Sequence, residues 1–590
     1  MPFGREIWLR HVKYACGRVG IYFISHCDNG AIFHNSRRKL FHIRCKPNIS
    51  LERITDLWYN KIKKGGVVMC SSTFHLYLSV EGADLFTVVC LPDRRGKYPT
   101  VICRSPYVDS DELLSESEIC EKKAEEYSLW LERGYAVVFQ HCRGKGKSSG
   151  DCVPYIYERE DGLILQEWIR NQSFYNGELY LFGRSYTSSV HFVTAPFAKD
   201  IKGAVLEVQD CERYNCNYRN GFYKMGLHGG WYVNMYKKKS NLKKCYTADS
   251  FKMLPLSDFS KTVFGENAED FDEILKHPDP KDAFWSTRFG GGEAHDAIKH
   301  AHIPILLVTG FYDIYTGGVF DMWKGLDDAT RAKSALAVNP FDHSGVGDNQ
   351  PICFDNGGMR KEFKNYAVRW LDAVRGIGSF PFEQGKITYY KLFDNKWCCD
   401  DFYDAKDACR IKLGDGKVSY KYDPCAPATF KGGLSANFGG NAWQDLPNLR
   451  QDIITLYTEA FDKDVFVKGK MQAKLTVSSD CEDTCFYLRL SLCKADGDYG
   501  LRDDINQISN FKADYKPNEA LEMSFSFDEH AFAVRKGERL RIDISSSAWP
   551  YYVPHTNRKG LFSEQANAKV ANNTVDLSES YIELPIFTEN

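Results

Sequence analysis

Leu179-Tyr180-Leu181-Phe182-Gly183-Arg184-Ser185-Tyr186-Thr187-Ser188-Ser189-Val190 is the stretch on which the reading of this chain turns. An apolar run without alternation suits a strand buried on both faces, and the residues after Ser185 can open a helix. Between them Gly183-Arg184-Ser185 makes a cramped strand-to-helix turn. A serine hydroxyl is a weak nucleophile, and such an elbow is one place where a fold presents it to an activating base. The usual second glycine, two places after the serine, is Thr187 here, so the plain G-x-S-x-G pattern is half met. Taken alone, the tripeptide is better explained as a surface turn. Its surroundings decide.

Upstream, Phe74, Leu76, Leu78 and Val80 alternate with other residues and Leu85 to Leu91 is continuously apolar, which predicts a hairpin at a sheet edge. Thr100-Val101-Ile102-Cys103 predicts a short strand that ends in Ser105-Pro106-Tyr107. A helix is expected over Leu113 to Arg133, closed by Gly134, then a strand over Tyr135 to Phe139 and a helix over Asp161 to Asn171. Strands alternating with helices indicate a mainly parallel sheet covered on both faces. In such sheets chemistry gathers at the carboxyl ends of the strands, where Tyr107, Ser185 and Asp313 all fall.

The nucleophile needs a base, usually His, oriented by a carboxylate. The strand ending Val308-Thr309-Gly310 delivers Phe311-Tyr312-Asp313, and the strand Ala335 to Val338 delivers Asn339-Pro340-Phe341-Asp342-His343. The order Ser185, Asp313, His343 is the α/β-hydrolase order. Asp342 competes for the carboxylate role but ranks below Asp313, because adjacent side chains seldom orient each other's rings. One decoy is His141-Cys142-Arg143-Gly144-Lys145-Gly146-Lys147-Ser148, which ends like a phosphate loop. Its first glycine is missing and no helix continues it, so nucleotide binding is rejected.

Composition narrows the classes further. At 590 residues the chain exceeds one compact core. Its 76 basic and 78 acidic residues leave a formal net charge of -2 and no basic stripe, which excludes nucleic acid as a partner. No apolar run approaches a membrane span, so a soluble protein is expected. The 20 cysteines show no paired zinc spacing, and the N-terminal run Gly20 to Ile24 is too short for a signal peptide. Free thiols and a cytoplasmic location are the expectation. Residues 1–71 show no sustained period and carry no assigned chemistry.

Residues 210–300, rich in Tyr, Asn, Lys and Asp, read as a helical cap inserted between core segments 72–209 and 301–380. From 381 to 590 short alternating strands predict an all-β sandwich or jelly roll. The chain resembles the CocE/NonD family of α/β-hydrolases, related to cocaine esterase and X-Pro dipeptidyl-peptidase. The resemblance runs from about residue 72 to the C-terminus. It rests on Arg104-Ser105-Pro106-Tyr107, Gly134 to Val138 through Arg143-Gly144, Gly183-Arg184-Ser185-Tyr186, Gly310-Phe311-Tyr312-Asp313, Asn339 to Ser344, and Lys536 to Ile544. It implies a C-terminal jelly roll of the galactose-binding-like kind. It also implies Ser185 as nucleophile, His343 as general base and then acid, and Asp313 as its orienter. Tyr107 matches a family tyrosine whose hydroxyl shares the oxyanion hole with the backbone N–H after the nucleophile, here that of Tyr186. Two departures stand out: Ser188 replaces a common glycine, and Asn339 and Asp342 replace more usual residues before the histidine.

These readings together lead to a serine hydrolase acting on a carboxylic ester or amide through an acyl-enzyme, with no metal or organic cofactor. The expected partner is a small ester or amide or a short peptide, with no membrane and with a homo-oligomer left open. Two rivals remain. An X-Pro dipeptidyl-peptidase would need a carboxylate such as Asp210 or Glu212 to hold a substrate α-ammonium, and a catalytically silent protein would only bind its ligand in the cleft.

Overall fold

The computed structural model describes three short strands between residues 21 and 44. It also describes residues 72–587 apart from 94, 199, 236–249, 251, 293, 295–296, 344–353, 356, 404–406 and 435–439. The chain divides into two compact units, Met1–Cys70 and Ser71–Asn590. In the first, Ile21–Cys27, Gly30–Asn35 and Leu40–Arg44 pair antiparallel in chain order. Strands so short, interrupted by His, Ser and Asn, leave too little alternation to register in a sequence.

The second unit is built on a ten-stranded sheet. Its strands are β1 (Ser72–Val80), β2 (Ala83–Leu91), β3 (Tyr98–Ser105), β4 (Ala136–His141) and β5 (Tyr175–Arg184). They continue with β6 (Ile201–Glu207), β7 (Ile305–Tyr312), β8 (Ala335–Asp342), β9 (Ile387–Lys391) and β10 (Lys396–Asp400). The spatial order is β10-β9-β8-β7-β6-β5-β3-β4-β2-β1. Strands β3 to β9 run parallel, and antiparallel pairs close both edges. The order reverses at β3, whose two neighbours are β4 and β5. That switch point opens a crevice above the carboxyl ends of β3 and β5.

The sheet is apolar on both faces and each face has its own core. Ile102, Val138 and Leu181 pack with α2 (Glu158–Arg170), α3 (Tyr186–Phe192) and α4 (Thr316–Gly325). Val101, Val137 and Tyr180 pack with α1 (Glu116–Glu126) and α5 (Tyr366–Val374). The single helix expected over Leu113 to Arg133 is two pieces. Helix α1 starts at a capping box in which Ser115 and Glu118 exchange hydrogen bonds. It ends at Tyr127, after which Ser128–Glu132 turns to bury Trp130 and Leu131. Gly134 closes the run at a φ of 81°.

Between β6 and β7 lie short helices and turns around an aromatic core that includes Tyr218, Tyr223, Tyr232, Phe259 and Phe271. The strand Ile387–Lys391, assigned by its alternation to the C-terminal all-β region, belongs instead to the hydrolase sheet, and so does its partner Lys396–Asp400. A strand's period does not say which sheet it joins. Beyond it, a seven-stranded sheet gathers around the long strand Ala571–Phe587. A four-stranded sheet stands beside it, in the order Ile454–Tyr457, Arg539–Ser545, Cys485–Lys494, Gly497–Gln507. All described cysteines are free, and no helix among the described residues is long and apolar enough to cross a membrane.

Candidate active site

The elbow between β5 and α3 is as tight as its sequence suggests. Ser185 has φ 56° and ψ -131°, a conformation that costs a non-glycine residue about 1–3 kcal/mol and persists only where its surroundings enforce it. A side chain on Gly183 would come within 1.9 Å of the Thr187 carbonyl oxygen, so only glycine fits there. Thr187, in the place of the second glycine, ties the turn instead: its hydroxyl accepts from the Arg184 N–H at 2.5 Å and donates to the Arg184 carbonyl at 2.7 Å. Ser188 is fully buried, and its hydroxyl both accepts from the N–H and donates to the carbonyl of Glu207 on β6, each at 3.0 Å. The two departures from glycine are thus crosslinks of the elbow.

His343 Nε2 lies 2.9 Å from Ser185 Oγ, and His343 Nδ1 lies 3.2 Å from Asp313 Oδ2. Asp313 is fully buried and its other oxygen accepts the Tyr315 N–H at 2.7 Å. A carboxylate only accepts, so the proton on a neutral imidazole sits on Nδ1 and Nε2 is left free to accept from the serine. The ring of Tyr315 stands edge-on to the imidazole at 5.5 Å. Strand order explains the assembly: β6 separates β5 from β7, and β8 lies next to β7, so three carboxyl ends deliver the three groups to one line. The unusual residue Asn339 has a local task, since its Oδ1 accepts the Phe341 N–H at 2.9 Å and shapes the turn before His343. Gly310 makes room for that turn.

Tyr107, just beyond β3, reaches across the switch point to place its hydroxyl 3.5 Å from Ser185 Oγ. Trp231 Nε1 donates to that hydroxyl oxygen at 3.1 Å, which leaves the tyrosine's own proton free to donate elsewhere. Burial pushes the Tyr107 phenol above its ordinary range, although hydrogen bonds from Ser185, Trp231 and the Tyr186 N–H oppose the shift. It therefore stays a donor at neutral pH. As a whole the residue is 47 % exposed; the desolvated part is its hydroxyl end. The Tyr186 backbone N–H points to the same place, as the first N–H of a helix is free to do. Tyr155 leans on Tyr186 at 4.4 Å and on Trp231 at 5.6 Å, and Tyr186 stacks with Trp231 at 5.8 Å, so the three rings form an aromatic wall.

Ser185, Asp313, His343, Tyr107 and Tyr186 come together as one cluster, and the imidazole meets Asp313 rather than Asp342. Ser344 lies outside the described residues. The decoy loop is held by its side chains: Arg143 makes two hydrogen bonds to Asp161, at 3.1 and 2.6 Å. Sequence reasoning missed two groups. Trp231 stands in Gly229-Gly230-Trp231-Tyr232, inside the stretch read only as a cap, and its flanking glycines are the one local signal. Arg184, the middle residue of the elbow, donates from Nη2 to the His343 carbonyl oxygen and pairs with Glu207 at 3.5 Å. Nothing in the sequence marks that reach.

The arrangement can activate a hydroxyl and hold a developing oxyanion. Residues 81–345 match the family described as X-Pro dipeptidyl-peptidase (S15 family), and residues 406–581 match the X-Pro dipeptidyl-peptidase C-terminal non-catalytic domain. Cocaine esterase of Rhodococcus sp. (strain MB1 Bresler) is 24% identical over 545 residues, covering 82% of this chain and 92% of that protein. Among solved structures, an α-amino acid ester hydrolase superposes with a TM-score of 0.73 at 17% identity, over 89% of this chain and 98% of the other. An aminopeptidase from the marine sediment archaeon Thaumarchaeota archaeon gives the same values. A CocE/NonD family hydrolase from Staphylococcus aureus gives a TM-score of 0.61 at 14% identity, over 88% and 93%. With the core and the β-rich C-terminal region both matched, the chain belongs to the CocE/NonD family of α/β-hydrolases related to X-Pro dipeptidyl-peptidase, and is a serine hydrolase.

Proposed function

We propose that the protein hydrolyses carboxylic esters or amides by two-step acyl transfer through Ser185. The reading is carried by the continuous line Asp313 Oδ2, His343 and Ser185 Oγ, with separations of 3.2 and 2.9 Å. Ser185 Oγ attacks the carbonyl carbon while His343 Nε2 takes its proton. The carbonyl oxygen becomes negative, and the Tyr107 hydroxyl and Tyr186 N–H donate to it. The same imidazole returns the proton to the leaving group, which departs and leaves an acyl-serine. Water then repeats the sequence, with His343 as base, and releases the acid. Asp313 fixes the tautomer and stabilises the imidazolium formed in each step.

The X-Pro dipeptidyl-peptidase form would require a carboxylate facing the cleft. Asp210 is buried, its Oδ1 accepts the Glu212 N–H at 2.8 Å, and its Oδ2 lies where a side chain on Gly318 would be. Burial pushes its carboxyl up to about 7. The acyl-transfer reading is tested with a fluorophosphonate probe on the full chain. Labelling is expected at Ser185 and is lost in Ser185→Ala; folded protein that takes no label would overturn it. p-Nitrophenyl esters set against X-Pro p-nitroanilides then separate esterase from peptidase.

A further inference from the structure

The sheet alone does not finish the oxyanion hole. Tyr107 comes from the end of β3 and Tyr186 from α3, but the indole that touches the Tyr107 hydroxyl comes from the segment between β6 and β7. An indole nitrogen can only donate, so in the 3.1 Å contact Trp231 supplies the proton and the phenol oxygen accepts it. A phenol proton lies in the plane of its own ring, and a donor on one side of the oxygen leaves it the other. The hydroxyl's second neighbour is Ser185 Oγ, at 3.5 Å, too far for a good O–H···O bond. The Tyr107 proton is therefore aimed but not spent in the resting site. An oxyanion that forms within its reach gains an interaction the ground state lacks. A hydrogen bond into the phenol oxygen also makes its O–H a stronger donor.

The indole is itself held on several sides. Trp231 stacks on the ring of Tyr186, which is pinned at its far end: its hydroxyl donates to Glu158 at 2.7 Å and accepts the Tyr155 N–H at 2.8 Å. Trp231 lies on the short helix Gly230–Met235, which follows a π-helical turn, Met225–Gly229. That turn is tied to the C-terminal region, where the Gly226 N–H donates to the Pro550 carbonyl at 2.9 Å. The far end of the helix is tied to the loop 141–148, which only imitates a phosphate loop. Lys145, 4 % exposed, donates from Nζ to the Met235 carbonyl oxygen at 2.8 Å. The last carbonyls of a helix lack partners within it, and a cation is favourably placed there.

We propose that Trp231 is a positioning residue of the oxyanion hole, fixing the direction of the Tyr107 hydroxyl, and that Lys145 serves it by seating the helix that carries the indole. The proposal rests on the acyl-transfer reading above. It makes the hole complete only when the segment over the sheet is seated. The elbow of Ser185 and its line to His343 use none of these ties and stay intact without them.

The test is a double-mutant cycle on the full chain: wild type, Trp231→Phe, Tyr107→Phe and the double variant. It is read as kcat and KM for p-nitrophenyl butyrate, corrected for spontaneous hydrolysis; the rate of Ser185 phosphonylation gives the same comparison without dependence on the ester. Trp231→Phe keeps an aromatic ring and removes the N–H, so kcat should fall by about 3- to 10-fold, the range of one neutral hydrogen bond, with KM little altered. In the Tyr107→Phe background there is no hydroxyl to direct, and the same substitution should change kcat by less than about twofold. An unchanged kcat in Trp231→Phe, or an equal loss in both backgrounds, overturns the proposal, because a mere wall residue acts whether or not the hydroxyl is there. Lys145→Met alters no group of the triad or the hole and decides if Trp231→Phe does not fold. It should lower kcat by about 2- to 5-fold with the same dependence on Tyr107. An unchanged kcat or a Tyr107-independent loss there refutes the tie through the helix. Additive losses with Ser185 still labelled refute this inference alone, whereas no labelling of the folded wild type refutes the acyl-transfer reading.

Discussion

Ser185 at φ 56° is held by what surrounds it: the absent side chain of Gly183, the two bonds of Thr187 and the two of Ser188. Ser188→Gly should therefore cost about 1–2 kcal/mol in chemical denaturation, from the lost hydrogen bonds and a glycine inside a helix, while turnover changes by no more than a few-fold. Loss of activity with unchanged stability would contradict that assignment. Tyr107 touches the reaction differently. Under the proposed acyl-transfer reading Tyr107→Phe removes a donor to the oxyanion, so kcat should fall by about 10²- to 10³-fold with KM little altered. If KM rose and kcat held, Tyr107 would be a binding residue instead.

At the scale of elements, β6 is the keystone between Ser185 and Asp313. The Ser185 N–H donates to the Glu207 carbonyl at 2.8 Å, and the Glu207 side chain accepts from the Tyr366 hydroxyl at 2.6 Å and pairs with Arg184. Arg184 in turn holds the His343 carbonyl, so the loop carrying the imidazole is clamped to the elbow. Arg184→Gln should lower kcat about tenfold through misplacement of His343, with Ser185 still labelled by phosphonate but more slowly. Helix α3 carries a second testable feature. Its buried His191 lies 3.1 Å from the Phe182 carbonyl oxygen, and burial, only partly offset by that bond, holds the imidazole down at about 3. The unfolded state, with an ordinary histidine, binds the proton first as pH falls below about 6.5. Stability from this group is complete above that value and is lost on the way down, by up to about 1.4 kcal/mol per pH unit. Thermal unfolding between pH 7 and 4.5 should show the slope, to which the buried His141, His228, His530 and His555 add in the same direction, and His191→Gln should make it less steep.

Across the whole molecule, the C-terminal sheets support the site rather than append to it. Arg219, in the segment over the sheet, reaches Asp504 at 2.7 Å and Asp528 at 2.9 Å. Burial pushes the Asp528 carboxyl up, but Arg219 and Arg502 more than offset this and hold it at about 2. Tyr312, next to Asp313, donates to the Gly500 carbonyl at 2.8 Å. Arg219→Met would strand two buried carboxylates and should cost about 3–5 kcal/mol in denaturant titrations. A loss under about 1 kcal/mol would mean that the pair is solvated and the junction loose.

Much of this was written in the linear chain. Strands alternating with helices, a glycine before a serine, and an aspartate and a histidine each following a strand in the right order are properties of local sequence. Backbone sterics and side-chain periodicity determine them without reference to distant residues. The membership of Ile387–Lys391 in the hydrolase sheet, the hold of Trp231 on Tyr107 and the reach of Arg184 to the His343 carbonyl were not legible in this way. Each depends on strand order or on groups far apart in the chain meeting in space, 124 residues for Trp231 and Tyr107 and 159 for Arg184 and His343. The elbow at Ser185 was therefore readable only together with Asp313 and His343 in their order along the chain, whereas the groups that hold it in place met only in the fold, because they lie on separate strands and loops.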